Sequence, residues 1–329
     1  KNKKLYGYLN ENFSDYRLKQ LFSRYSTYVG GSPFNSPSIL SLIWHVECQG
    51  VWRIAGGMYD LVKQIETISK RSDASFFYKN KVKKILMKNN KINGIELKNN
   101  KVIDCDTIIF NGDPKALFDG LLGDEIQNAV SNNNINKRSL SAYVWSFAAK
   151  TQGLDLLHHN VLFNKNYKTE FDDIKRGEIP KDPTLYICAQ GSINNPRPKE
   201  KSLGRFEIII NGSPTYNHKK YNKQKEYTKC KEITFSILDS MGLKMDLKPT
   251  EEMLTTPKEF EQLFPGSQGS LYGRTPHGIS STFMRPRNKS KIKGLLLAGG
   301  GTHPGAGIPM ACLSGKHAAE MILKDLSLT

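Results

Sequence analysis

Apolar residues between Ser14 and Val29 fall at Leu18, Leu21, Phe22, Tyr25 and Tyr28, spacings of three and one that predict an amphipathic helix, with Ser14 as its cap and Gly30-Gly31 as its stop. A second helix is predicted from Pro37, capped by Ser36 and ended by Gly50, carrying Ile39, Leu40, Ile43, Trp44 and Val46. Val51–Ile54 reads as a short strand. Gly56-Gly57-Met58 then opens a helix to about Lys70, and Ser75–Tyr78 reads as another strand. Three short strands follow, Val82–Met87, Ile92–Leu97 and Val102–Ile103, joined by Asn89-Asn90 and Asn99-Asn100. Asparagine tolerates left-handed backbone, so these pairs predict tight turns in a β-meander. Thr107–Phe110 has the continuous apolar character of a buried strand, and Asn111-Gly112-Asp113-Pro114 reads as a turn into a helix with Asp113 as cap.

The middle third changes texture. Ser139–Ala149, Leu185–Ala189 and Phe206–Ile210 are strand candidates, separated by polar loops at Asn164–Asp182 and Ser192–Gly204. A long helix is expected from about Lys219 to Met241, with Tyr227, Cys230, Ile233 and Ile237 on one stripe. Thr256 caps another at Pro257. Near the end, Leu295–Ala298 reads as a buried strand, Gly299–Gly307 as a glycine-rich turn, and Ile308 to about Leu323 as a helix. Its small residues Ala311, Ser314, Gly315 and Ala318 must lie close to a sheet.

Composition narrows the class. In 329 residues, 38% hydrophobic and 24% charged, there is enough apolar content for a large core and no sign of wholesale disorder. No apolar run approaches the ~20 residues of a spanning helix, and no period supports a collagen, coiled-coil or solenoid. Lys1–Lys4 offers neither a Met nor an apolar leader, so the sequence reads as starting in mid-protein without a signal peptide. The net charge of +17 is concentrated in stretches such as Lys79–Lys101 and Lys219–Lys231. It fits a solvated lysine-rich surface or attraction to an anionic membrane, and no nucleic-acid-binding signature accompanies it. The five cysteines are scattered, with no C-x-x-C pair, which points to a reduced, cytosolic setting and away from zinc. His158-His159 has no ligand partner nearby in the sequence and reads as an exposed loop pair.

The glycine turn carries the clearest chemistry. Glycines let the backbone approach a ligand closely, and a helix N-terminus behind them offers unpaired N–H groups and partial positive charge. The pattern is not G-x-G-x-x-G, because Pro304 stands where the last glycine belongs, and no first βαβ unit precedes it. Alone, it is equally a tight structural turn.

Three blocks resemble the bacterial FAD-dependent carotenoid desaturases, the phytoene-desaturase type of the amine-oxidase-like flavoproteins. The first runs from Leu21 to Pro33 and continues from His45 to Met58. The second comprises Val82–Ile85 with Phe110–Pro114. The third is Leu271–Gly278 with Gly299–Gly315, and it is most similar to the 1-hydroxycarotenoid 3,4-desaturases (methoxyneurosporene dehydrogenases). The resemblance implies an α/β (mixed α+β) fold: a Rossmann-like FAD-binding unit with an inserted mixed sheet-and-helix substrate domain, its N-terminal βαβ unit missing. It divides the chain into a helical substrate- or membrane-side segment (1–55), part of the FAD-binding domain with the meander (56–130), the substrate domain (131–290) and the closing strand–turn–helix (291–329).

By the same resemblance, Val82 meets the adenine, although it is equally an ordinary strand valine. Gly299, Gly300 and Gly301 pass the ribityl and pyrophosphate, and Ile308, Pro309 and Met310 lie beneath the flavin, with Ile308 and Met310 as donors because Pro309 has no N–H. Trp44, Met58, Tyr272 and His277 are the expected substrate contacts, and His303 could reach flavin or substrate. No catalytic acid or base and no metal ligand is expected. The implied reaction removes hydride from a carotenoid C–H to the flavin with loss of a neighbouring proton, most closely a 3,4-desaturation. A phytoene desaturase, another polyene-acting flavoprotein and a noncatalytic carotenoid-binding module at the membrane surface stay open. The implied location is cytoplasmic, peripheral on the inner membrane. A chain lacking the pyrophosphate unit is expected to be inactive by itself.

Overall fold

The computed structural model describes residues 3–190, 203–217, 221–278 and 281–327. The predicted helix at 14–29 is shorter than its pattern. After α1 (Leu5–Asn12), helix α2 (Tyr16–Ser23) tightens into a 3-10 turn over Arg24–Val29. The Ser26 and Thr27 hydroxyls donate to the carbonyls of Ser23 and Arg24, three residues back, and compete with the α-helical bonding pattern there. Asp15, not Ser14, is the cap, accepting from the Arg17 amide at 2.8 Å. The second predicted helix is also split. Pro37 is extended, a 3-10 turn covers Ser38–Ser41, and α3 spans only Leu42–Glu47.

Helix α4 (Met58–Arg71) forms as expected, but neither Val51–Ile54 nor Ser75–Tyr78 is a strand. Both segments have β-forming residues and no ladder partner among the described residues, which leaves Trp52 83% exposed and Phe77 exposed too.

The meander is β1 (Val82–Lys88), β2 (Lys91–Leu97) and β3 (Val102–Asp104), antiparallel in that order. Asn89 and Asn90 have positive φ, as does Asn100 in the second turn. Strand β4 (Ile108–Phe110) is less covered than its apolar run suggests, because Ile109 faces solvent. Helix α5 (Pro114–Phe118) starts on the Asp113 cap, and α6 (Asn132–Ile135) follows.

The middle third is one six-stranded antiparallel sheet. Its strands are β5 (Ser141–Gly153), β6 (His159–Leu162), β7 (Leu185–Gln190), β8 (Gly204–Gly212), β9 (Leu243–Asp246) and β10 (Leu254–Thr255), in the order β10-β5-β8-β7-β6, with β9 on the far half of β5. The segment read as a polar loop at Asn164–Asp182 holds α7 (Tyr167–Lys175), whose Tyr167, Phe171 and Ile174 are buried at helical spacing. The fully buried Glu170 of α7 accepts from Asn164, Asn211 and both the amide and hydroxyl of Thr184. Most of the Ser192–Gly204 loop lies outside the described residues. Helix α8 (Lys223–Ser240) starts on the Asn222 cap and lays Cys230, Thr234 and Leu238 on the sheet, where they join Trp145, Ile187 and Ile208 in the main core. Helix α9 (Pro257–Leu263) has the full Thr256–Glu259 capping box.

Strand β11 (Leu295–Leu297) returns to pair in parallel with β4, and α10 (Ile308–Ser327) closes the chain, with Ser314 and Ala318 packed inward. Two polar contacts fasten these parts. The buried Arg138 pairs with Asp113, binding the start of the large sheet to the α5 turn. His277 Nε2 accepts from the Ser32 amide at 2.8 Å, binding the loop after the first helices to the segment near β11.

Removing Asp113 leaves the Arg138 guanidinium buried without its counter-charge. Asp113→Ala is expected to cost about 3–5 kcal/mol, read as a lower urea midpoint. Asp113→Asn, which keeps a capping oxygen, should cost less. Burial lowers the His277 pKa to about 4. Unfolded histidine takes its proton near pH 6.5, so below that value the unfolded chain binds a proton that the folded chain refuses. Stability should therefore fall as pH drops from about 6.5 to 4 and stop depending on this group below 4. Urea titrations across that window should show the slope, and His277→Gln should flatten it.

Candidate functional site

The strand–turn–helix from β11 to α10 forms because Leu295–Leu297 is buried on both sides, while the glycines after it take backbone shapes that side chains resist. Gly299 has φ +108°, and a Cβ there would stand 2.5 Å from the Asn111 side-chain oxygen. Gly301 passes so near the next segment that a Cβ on Gly273 would stand 2.9 Å from its Cα.

Two side chains hold this turn: Ser314 Oγ accepts from the Gly299 amide at 2.7 Å, and Arg285 bridges it to its neighbours. The buried Arg285 donates through Nη1 to the carbonyls of Tyr272 at 2.7 Å and Gly300 at 2.8 Å, and through Nη2 to that of Arg274 at 3.1 Å. Burial, with Arg138 and Arg274 nearby, lowers its pKa to about 10, so it stays a cation at neutral pH. Arg274 is also drawn down by burial. Three arginines with Asp113 among them make the ground behind the turn positive.

The start of α10 faces outward. Ala311 donates to Gly307, so the Ile308 and Met310 amides belong to the first turn, which has no acceptor within the helix. Ile308 is 49% exposed and Met310 40%. A Cβ on Gly307 would meet nothing within 4 Å. The Thr302 hydroxyl beside them is buried with no hydrogen-bond partner. An exposed helix start, first-turn amides without an acceptor inside the helix and a positive background suit a flat, electron-accepting group such as a flavin ring, with Gly299–Gly301 as nearby side-chain-free backbone.

The expected site residues divide. Tyr272 is joined to Gly300 through Arg285, and His277 lies five residues on in the same segment, held by Ser32. Of these two, only the Tyr272 segment is tied to the Gly299–Gly301 turn, through Arg285 and the close approach of Gly273 to Gly301. Trp44 packs edge-on against Phe22 at 5.4 Å, in the helical segment with an exposed flank. Met58 sits at the exposed start of α4, and Val82 opens β1 in the meander. His303 uses its amide to bond Pro286. Asp113 caps α5, as its sequence position implies, and also carries the Arg138 pair.

Sequence reasoning missed Arg285 and Thr302. The signal available was one of two arginines flanking Pro286 in a basic stretch, and only the tertiary fold shows three carbonyls converging on Arg285. The reading of His158-His159 as an exposed loop pair without a partner also needs correction. His159 begins β6, and Cys188 lies directly across from it on β7.

Residues 237–323 match the family described as flavin containing amine oxidoreductase. The chain is 46% identical over 315 residues to the hydroxyneurosporene desaturase of Cereibacter sphaeroides, an alignment that covers 96% of this chain and 62% of that protein. It is 31% identical to the 1-hydroxycarotenoid 3,4-desaturase of a Flavobacterium species, covering 95% and 64%. Against the zeta-carotene-forming phytoene desaturase of Myxococcus xanthus it is 26% identical, covering 98% and 62%. The chain therefore spans somewhat under two thirds of the length of these relatives. A crystallised oxidoreductase from Methanosarcina mazei shares the fold, with TM-score 0.59 at 13% identity over 97% of this chain and 68% of that one. The similarity to these carotenoid desaturases runs nearly end to end along this chain, and its last third matches the flavin containing amine oxidoreductase family.

Proposed function

We propose that the protein to which this chain belongs is an FAD-dependent carotenoid desaturase, acting on a 1-hydroxycarotenoid to introduce a 3,4 double bond. The observation that carries this reading is the Gly299–Gly307 turn: anchored from behind by Arg285, open in front, with the Ile308 and Met310 amides unpaired. The relatives named for hydroxyneurosporene and 1-hydroxycarotenoid support the substrate class.

FAD, when bound, supplies the two-electron acceptor that a C–H bond of a polyene requires. The chain's own contribution is electrostatic and steric. The Ile308 and Met310 N–H groups and the α10 dipole favour negative charge at the helix start. Arg285 adds a full positive charge in a low-dielectric setting and fixes the distance between the turn and the Tyr272 segment. The glycines keep side chains out of the path of the cofactor. The half-buried His277 stays neutral at physiological pH and so adds no further cation to this region.

The apolar flank of the first helices supports uptake from a membrane. Leu42, Trp44, Val46, Val51 and Trp52 are all exposed within one short stretch, next to a chain of net charge +17. Such a surface suits peripheral docking, with basic side chains near anionic headgroups and aromatics at the interface. No helix among the described residues is long and apolar enough to cross a membrane.

The test joins this chain to the G-x-G-x-x-G unit that the resemblance places upstream, in cells that accumulate hydroxylated or unhydroxylated carotenoids. The product is expected to carry bound flavin and to extend the conjugation of the hydroxylated carotenoid, seen as a red shift in extracted pigment. Arg285→Leu should lose most of the flavin, because the turn loses its anchor. A soluble, folded product without flavin would overturn the reading, and conversion of unhydroxylated phytoene alone would move it to the phytoene desaturases.

A further inference from the structure

We propose that His158, His159 and Cys188 form a binding site for a borderline-soft transition-metal ion of the zinc class at the free edge of the large sheet. One donor atom from each residue lies within 4.8 Å of the other two. The site is built from two neighbouring strands. His159 opens the edge strand β6 and faces Cys188 of β7 in register, and His158 precedes the strand with its ring 4.4 Å from that of His159, edge to face.

The hydrogen bonds set the rings for this role. His158 Nδ1 lies 3.2 Å from the Ala189 carbonyl. A carbonyl only accepts, so Nδ1 carries the proton and Nε2 keeps its lone pair. That Nε2 lies 3.9 Å from Cys188 Sγ. His159 Nδ1 is held by the Tyr186 hydroxyl at 2.7 Å, which leaves its other nitrogen for a ligand. Imidazoles whose second nitrogen is fixed by a carbonyl or hydroxyl are the usual arrangement around protein-bound zinc. With Zn–N near 2.05 Å and Zn–S near 2.3 Å, a tetrahedral ion needs an N···S separation of about 3.5 Å, so the 3.9 Å gap must close by only a few tenths.

Glu207 on β8 is directly opposite Cys188 in the ladder, but its carboxylate is not among the converging donor atoms. Three protein donors leave a fourth position for water. One thiolate and two imidazoles select zinc or copper(I) over magnesium and calcium. Binding is a plain exchange: the metal takes the place of the Cys188 thiol proton, which goes to solvent, and no electron moves. The effect on the fold is to clamp β6, which among the described residues pairs only with β7, to the body of the sheet.

None of the three ligands belongs to the glycine turn, and the test needs no cofactor. The 329-residue chain, stripped with EDTA and dialysed, is titrated with Co2+ as a visible stand-in and then with Zn2+ in competition. One equivalent of Co2+ should give a near-ultraviolet thiolate-to-metal band and tetrahedral d–d bands, both removed by one equivalent of Zn2+. Cys188→Ser should abolish the near-ultraviolet band, and His159→Ala should weaken Zn2+ binding by about tenfold or more. Cys48→Ser and Cys312→Ser, at the two exposed cysteines, should change nothing. Circular dichroism shows whether each variant is folded. Should Cys188→Ser not fold, the exposed His159→Ala decides the matter. Absence of a stoichiometric band, or binding unaltered by His159→Ala, overturns the proposal.

Discussion

The guanidinium of Arg285 is the contact on which the architecture around the glycine turn depends. Buried cations are costly, and this one is kept because three backbone carbonyls, of Tyr272, Arg274 and Gly300, converge on it. Those carbonyls come from two segments that are otherwise free to drift apart. Glycine-rich backbone cannot hold its own shape, since it loses more entropy on ordering than any other kind. An external anchor of fixed planar geometry supplies the rigidity the glycines lack. Lysine would not reproduce it, because a single ammonium cannot match the spread of donors on a guanidinium.

The same region shows how charge is balanced away from water. Arg138, Arg274 and Arg285 lie near one carboxylate, Asp113, which also caps α5. Arg138 takes the carboxylate, and the other two are satisfied mainly by carbonyl oxygens. The remaining positive potential points at the start of α10, where the helix dipole has the same sign. A site arranged this way favours a ligand that gains negative charge. The large sheet manages its polar groups differently. Glu170 is sealed under α7 by four donors from three residues, so a buried acid becomes a fastening between helix and sheet.

Much of the architecture is legible in local chemistry. The Asn-Asn turns, the Thr256 cap and the Asp113 cap each depend on neighbours within a few residues, and each is observed, whereas the alternation read along Ser139–Ala149 is replaced by five consecutive buried residues at the start of β5, covered on both faces. The failures have a common cause. Val51–Ile54 and Ser75–Tyr78 carry β-forming residues, but a strand exists only by pairing, and no partner lies beside them among the described residues. The 14–29 helix breaks where serine and threonine hydroxyls compete for carbonyls. Helix α7 was hidden in a stretch rich in Asn, Lys and Asp, although Tyr167, Phe171 and Ile174 mark its buried stripe.

The sequence by itself determined the turns and caps, many of the helices and strands, the glycine turn and the family resemblance, because these reside in short-range spacing and in residue identity. Only the tertiary structure decided that Arg285 would anchor the turn, that Asp113 would serve both a helix and Arg138, and that Cys188 would come to rest against a histidine pair some thirty residues away. Such meetings follow from strand register and chain crossing, and no local propensity encodes which distant residues a sheet will place side by side.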